Sequence, residues 1–477
     1  MTIHVHDAVG AIADFIATAR VPADARARAG MAFRDTLGVM LAGALEPAAR
    51  IAQAIASDEG RGTCSVIGIG LQTSAGQAAL ANGVAAHALD YDDMCFVSLA
   101  HPSCALVPAL LAAGELVHAS PVALEDAYVV GFEIECRLGE AMNPRHYDQR
   151  GWHCTSSIGT IGAAAAAARV LGLDADATRH ALGIAASSAC GLKENIGTMV
   201  KPLHAGLAAR NGLLAAQLAQ RGLTASMHAI DGPQGYLHAM DSERSTLEPA
   251  AASLGSRWEI IETGVTVKLY PSCAATHPPL DALRDLARDA GIGPDDVAAI
   301  DVEVDSMTPK LLIHPDPASG LEAKFSMPFC AGAALVFGRV GIDTFEASTL
   351  HDPAVRRLLP RVTLRANPAF DASAPLSQAR VTVTMRTGRV LTRSAEGARG
   401  YPGRLTNREL EAKFIDCATR SLTPAAAATA WAIVNDIERL ADVRELTTAL
   451  SSGERSERFE RLERSERSER SERSERV

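Results

Sequence analysis

Residues 150–173 read RGWHCTSSIGTIGAAAAAARVLGL. A polar run holding Thr155 and Ser156 leads into a block of Ile, Gly and Ala, the order expected where a capped helix begins. From Ile158 to Leu173 the block is too short to span a bilayer, and Arg169 interrupts it. Side chains this small let a helix approach its neighbours closely, so the stretch reads as an inner member of a helix assembly.

The same texture extends from Asp7 to about Leu223, with Gly or Pro breaks roughly every 15 to 25 residues. Apolar spacing predicts helices over 8–17, 27–41, 75–89, 108–117, 125–141, 159–171, 175–189 and 206–222. Near Trp258 the pattern changes. Residues 259–269 and 299–304 alternate as strands do, and 379–394 reads as a hairpin about Arg386-Thr387-Gly388. Helices are expected between these strands, over 278–289 and 328–336, and helical spacing returns over 407–421 and 424–439. The expected fold is therefore mainly α with an α+β lid. A helical domain (1–259) is followed by an inserted α+β domain (260–403) and by returning helices (404–450). Residues 451–477 form a low-complexity Ser-Glu-Arg tail with almost nothing to bury, read as disordered.

Composition bounds the function. Of 477 residues, 47% are apolar and 21% charged, enough for a large core; aromatics are only 4%, so that core must be Ala, Leu, Val and Ile. A net charge of −10 opposes nucleic-acid binding. The nine cysteines are scattered with no C-x-x-C pair, which speaks against a disulfide framework and a zinc ribbon. The first twenty residues carry Asp7 and no basic flank, so they read as an amphipathic helix and not as a secretory signal. A cytoplasmic protein with neither a membrane nor a nucleic-acid partner is expected.

Four polar clusters interrupt the apolar text. In the first, GVAAHALDYDDM (83–94) precedes His101-Pro102; on a helix His87, Asp90 and Tyr91 share a face, and Asp92 and Asp93 then end it. Metal ligation is the first thought, but neither an H-E-x-x-H nor an EF-hand spacing is present, so a polar pocket wall is the better reading. The second holds His153, Thr155 and Ser156 at a helix start, where unpaired N–H groups and hydroxyls suit an anion. The third, KPLHAGLAARN (201–211), puts Lys201 at a helix mouth, where the macrodipole disfavours a cation, with His204 in the same turn. The fourth, VKLYPSCAATH (267–277), brings Lys268, Tyr270 and Cys273 to a strand-to-helix junction, with Lys268 and Tyr270 on one face. His277 can face the pocket or cap the helix that follows, and Pro278-Pro279 favour the cap. The bland alternative for each cluster is an ordinary cap, a solvated lysine or a polar strand end.

Taken in order, NGVAAHALDYDD…HPS, RGWHCTSSIGTIGAAAAAARVLGL, KPLHAGLAARNGLLAAQLAQRGLT, KLYPSCAATHPPLDAL and EAKFSMPFCAGAAL resemble the MmgE/PrpD family, over about residues 7–442. The family is named for 2-methylcitrate dehydratase and includes cis-aconitate decarboxylase and iminodisuccinate epimerase. The resemblance implies a homodimer of helical domain and lid, using neither metal nor organic cofactor, that acts on a small anionic carboxylate. It implies a pocket drawing Asp90, His101, His153 and Lys201 from the helical domain, and Lys268, Tyr270 and Cys273 from the lid. His101 is the first candidate for the base and His153 the second, with Asp90 to orient His101. Lys201 and Lys268 are the charge-stabilising cations, and Cys273 is a second base if the reaction is epimerisation. Tyr270, His204, Thr155 and Asp93 are expected to bind substrate. In the family's decarboxylases a Thr follows the Asp-Asp pair where Met94 stands here, and a His stands in place of Cys273. The first expectation is therefore a cofactor-independent dehydratase. Epimerisation of an imino- or amino-dicarboxylate comes second, decarboxylation third, and a helical binding protein is the non-enzyme alternative.

Overall fold

Small side chains set how the helices pack. The computed structural model describes residues 7–373 and 378–452. Nine long helices come first: α1 (Ala8–Thr18), α2 (Ala23–Gly43), α3 (Pro47–Asp58), α4 (Ala75–Ala88), α5 (Ser103–Val117), α6 (Pro121–Met142), α7 (Cys154–Val170), α8 (Ala175–Ser188) and α9 (Val200–Gln220). A short antiparallel pair, β1 (Cys64–Val66) and β2 (Leu71–Thr73), lies between α3 and α4. α7, the helix of the opening stretch, is buried from Cys154 to Ala168. Its small residues leave room for the neighbours: a Cβ on Gly212 of α9 would stand 2.7 Å from the Thr160 carbonyl oxygen of α7. α4 and α9 are equally close, since a Cβ on Gly83 would lie 2.7 Å from Gly206 Cα. No atom but hydrogen fits there, so glycine is required at both positions of this crossing.

The chain divides into two units. One takes the residues up to Ala88, Asp92–Val265 and those from Thr406 onward; the other takes Leu89–Tyr91 and Thr266–Leu405. In the second unit, a four-stranded sheet is ordered β4 (Val362–Ala366), β3 (Val297–Val304), β5 (Gln378–Met385), β6 (Val390–Glu396). β3 runs parallel to β4 and antiparallel to β5, pairing Ile300 with both Val362 and Val383. Alternate residues Ile300, Val302 and Val304 are buried and meet α10 (His277–Ala290) and α11 (Met327–Phe337) through Leu280, Leu283 and Phe329. The hairpin expected over 379–394 is β5 and β6. The helices α12 (Asn407–Ala418), α13 (Pro424–Asn435) and α14 (Val443–Ser452) return to the first unit. α12 is tied to α2 by a buried ion pair, Lys413 Nζ to Asp35 Oδ1 at 2.6 Å.

Two local expectations are corrected. Residues 259–269 do not form a strand: Glu259–Glu262 is one helical turn followed by irregular chain. The cause is not local. Glu259 is fully buried, ion-paired to Arg137 and Arg257, and its backbone N–H donates to Glu133 at 2.8 Å. α3 was not expected at all, because its large apolar residues Ile51 and Ile55 face outward (60% and 48% exposed) while alanines and Gln53 face in. The Ser-Glu-Arg tail beyond Ser452 lies outside the described residues. Among the described residues no single helix is long and apolar enough to cross a membrane.

Candidate active site

α4 ends one residue after His87. The chain beyond it delivers Asp92, then His101, then Pro102 and the start of α5. His153 occupies the cap position of α7, with its carbonyl accepting from Ser156 and Ser157 N–H. Lys201 and His204 lie in the first turns of α9. The close α4–α9 crossing brings His87 and Lys201 together: Lys201 Nζ is 2.8 Å from His87 Nε2. On its other side His87 Nδ1 is 2.7 Å from Asp92 Oδ2, and the same carboxylate oxygen is 3.4 Å from His101 Nδ1. His153 stacks at 5.9 Å from the His87 ring and hydrogen-bonds His204, Nδ1 to Nδ1, at 3.1 Å. The Thr155 hydroxyl accepts from His101 N–H at 3.1 Å. The first unit thus gathers one lysine, one carboxylate and four imidazoles.

Burial sets the charges. His87 is pushed down to about 3, mainly by desolvation and also by the Lys201 cation, against the pull of Asp92. Desolvation likewise holds His153 well below the ordinary histidine value, helped by Lys201 and the other imidazoles, and lowers His204. Burial alone would raise the Asp92 carboxyl, but the imidazoles of His87 and His101 outweigh it and hold Asp92 well below the usual range. A neutral imidazole has one donor and one acceptor. An ammonium can only donate, so His87 accepts at Nε2, carries its hydrogen on Nδ1 and donates it to Asp92. The chain of charge is then anion, neutral ring, cation.

His87, Asp92 and His101 also place donor atoms within 4.8 Å of one another. Such a His₂Asp set has the composition of a catalytic metal site. The Lys201 side-chain nitrogen, 2.8 Å from His87 Nε2, already stands beside this set. A separate cavity of about 410 Å³ in this unit is lined by Arg137, Glu140, Arg244 and Arg257, and none of the imidazoles borders it.

The remaining residues expected at the site are distributed as follows. Asp93 faces α5: its carboxylate accepts from Ser103 N–H at 3.3 Å and from the Ser103 hydroxyl, which also meets Tyr128, and burial raises it well above the ordinary value. Asp90 belongs to the second unit, where its backbone oxygen and Oδ1 each lie 3.0 Å from Lys268 Nζ. The carboxylate that reaches His101 within the first unit is Asp92. Tyr270 is buried, donates to Asp281 at 2.5 Å and accepts from Arg284 and Arg399 at 2.9 and 3.0 Å. Burial, with Asp281, pushes its hydroxyl up to about 12. Cys273 is half-buried, and its N–H donates to the Lys324 carbonyl at 3.0 Å. His277 opens α10 with Nε2 3.3 Å from the Ser272 carbonyl. His87 and Asp92 were not among the expected catalytic or binding residues. The available signal was a histidine inside a helix of Ala, Gly and Val, since a buried polar ring needs a partner.

Comparison with known proteins agrees with this architecture. A family model described as the MmgE/PrpD N-terminal domain matches residues 10–247, and one described as the MmgE/PrpD C-terminal domain matches 270–439. A cis-aconitate decarboxylase of Homo sapiens is 30% identical, over 78% of this chain and 79% of its own length. A cis-aconitate decarboxylase-like protein of Aspergillus oryzae is 31% identical over 91% and 94%, and a cis-aconitate decarboxylase of Aspergillus terreus 28% over 92% and 94%.

Proposed function

The chain belongs to the MmgE/PrpD family and is a lyase of that family, and from that premise we propose that it decarboxylates a small unsaturated tricarboxylate of the cis-aconitate kind. The observation that carries this reading is the buried Lys201 cation, 2.8 Å from a neutral His87 and surrounded by further imidazoles. Similarity along most of the chain to proteins named as cis-aconitate decarboxylases supports this reading over dehydration, although Met94 and Cys273 stand where the family's decarboxylases have Thr and His.

The chemistry is an allylic shift. The carboxylate on the saturated carbon leaves as carbon dioxide, its electron pair moves into the neighbouring alkene, and the far alkene carbon takes a proton. One C–C bond breaks, one C–H bond forms, and a dicarboxylate with a displaced double bond results. Negative charge builds on carbon and its attached carboxylates before that proton arrives. Lys201 is the fixed cation that stabilises it, a contribution typically of about 3–4 kcal/mol for one pre-oriented group. His101 delivers the proton, with the Asp92 anion beside it to balance the charge it carries before transfer. His153 and His204, kept neutral by burial, share one hydrogen between their Nδ1 atoms, so one of the two rings offers an Nε2–H donor to the carboxylates that stay.

Incubation in heavy water with cis-aconitate, citrate, 2-methylcitrate and aspartate-derived dicarboxylates, followed by proton NMR, tests the proposal. The expected result is carbon dioxide from cis-aconitate and a product carrying one deuterium on carbon. New alkene from 2-methylcitrate without carbon dioxide release would replace decarboxylation by dehydration. Deuterium in recovered substrate alone would replace it by epimerisation.

A further inference from the structure

His87 bridges two charged groups, Asp92 at 2.7 Å and Lys201 at 2.8 Å. It is 1% exposed, and Asp92 is wholly buried. A lysine side chain is long and carries much rotamer freedom, so an ammonium on its own is a poorly placed charge. An acceptor held at both ring nitrogens removes that freedom. We propose that His87 is a positioning residue, which with Asp92 behind it holds the Lys201 side-chain nitrogen in one fixed place. This rests on the decarboxylase reading for its role in turnover but not for its geometry.

The argument has two parts. First, the Nε2 lone pair that receives the Lys201 hydrogen belongs to a ring whose other nitrogen donates to a carboxylate. Successive hydrogen bonds of this kind polarise one another, so the ring is a stronger acceptor than an isolated imidazole. A lysine bound to such an acceptor is held more firmly in one geometry. Second, the same Asp92 oxygen faces His101 at 3.4 Å. One carboxylate therefore sets both the standing cation and the imidazole that delivers the proton, and the two roles are divided between different side chains. The titratable groups that interact with Lys201 in this unit include His87 on α4, Cys104 on α5, His153 at the start of α7 and His204 on α9 itself.

Two substitutions separate positioning from packing. In His87→Gln the carbonyl oxygen reaches the place of Nε2 and can still accept from Lys201. In His87→Asn the side chain reaches only the place of Nδ1, so it can donate to Asp92 but leaves the lysine without that acceptor. The expected kcat on cis-aconitate falls about 10²-fold in His87→Asn with KM within about threefold, as for a misplaced reacting group, and less than about tenfold in His87→Gln. A second readout needs no substrate: crystal structures of the ligand-free variants. Lys201 Nζ should keep its wild-type place in His87→Gln and leave it by about 1 Å or more in His87→Asn. Equal loss of kcat in both variants, or a Lys201 side chain in its wild-type place in His87→Asn, overturns the proposal. If wild type releases no carbon dioxide from cis-aconitate, the decarboxylase reading fails and the structures of the variants still decide the role of His87.

Discussion

Replacing Gly83 by alanine places a methyl group 2.7 Å from Gly206 Cα, 3.0 Å from Gly206 N and 3.1 Å from the Ala205 carbonyl oxygen. All three are backbone atoms of α9, so no side chain can swing aside. Carbon atoms in contact prefer about 3.5–4.0 Å, so α4 and α9 must separate by about 1 Å. His87 lies one turn after Gly83 on α4, and Lys201 lies on α9. A 1 Å separation carries their 2.8 Å hydrogen bond to about 3.8 Å, beyond hydrogen-bond range. Stability should fall by about 0–2 kcal/mol, because overpacking costs about 1–3 kcal/mol while alanine regains about 1 kcal/mol of helix propensity. Activity should change more, by about 10²-fold, since a misplacement of about 1 Å suffices for that. Gly76→Ala is the control: it lies on the same helix and its Cβ would meet only Arg210 Cγ at an ordinary 3.6 Å. The assay is carbon dioxide release from cis-aconitate beside a urea unfolding curve for each protein. Wild-type kcat in Gly83→Ala, or equal loss in both variants, would refute the link between the helix crossing and the site.

Other expectations follow from the same geometry. His101→Ala should lose at least about 10²-fold in kcat while the protein stays folded, as is typical for removal of a general acid; activity within threefold of wild type would exclude it as the proton donor. Asp92→Asn keeps a hydrogen-bond acceptor but removes the charge, and should lower kcat with little effect on the unfolding midpoint, because the burial cost of the anion is relieved as its partners are weakened. His87 is held neutral with its value pushed from 6.5 to about 3. A base lowered in the folded state binds its proton more readily unfolded, so its contribution to stability is complete above pH 6.5 and declines as pH falls toward 3. Stability measured at pH 7 and pH 5 should therefore fall more steeply for wild type than for His87→Gln. Parallel lines would show that His87 titrates alike in both states.

Much of the fold could be read from the sequence because its signals are local. Thr, Ser and Asp caps, Ala and Gly faces and the Arg386-Thr387-Gly388 turn mark where helices begin and where the hairpin folds. The exceptions have non-local causes. The 259–269 segment has the alternation of a strand, yet the buried Glu259 is claimed by Arg137 on a distant helix. α5 begins at Ser103, ahead of the start at Pro108 that the apolar spacing suggested. At the site, His101, His153, Lys201 and His204 stand out because each sits at a helix entrance. His87 and Asp92 do not, because their importance arises only when Gly83 and Gly206, far apart in the chain, let two helices touch.

The most direct test of a fixed cation at the centre of the site is single-turnover decarboxylation of cis-aconitate by Lys201→Met, with binding measured separately by calorimetry. The account predicts that the variant still takes up the substrate, and that carbon dioxide release slows by at least about 10²-fold, the effect of removing one pre-oriented charge-stabilising group. Release within threefold of wild type at full occupancy would contradict it.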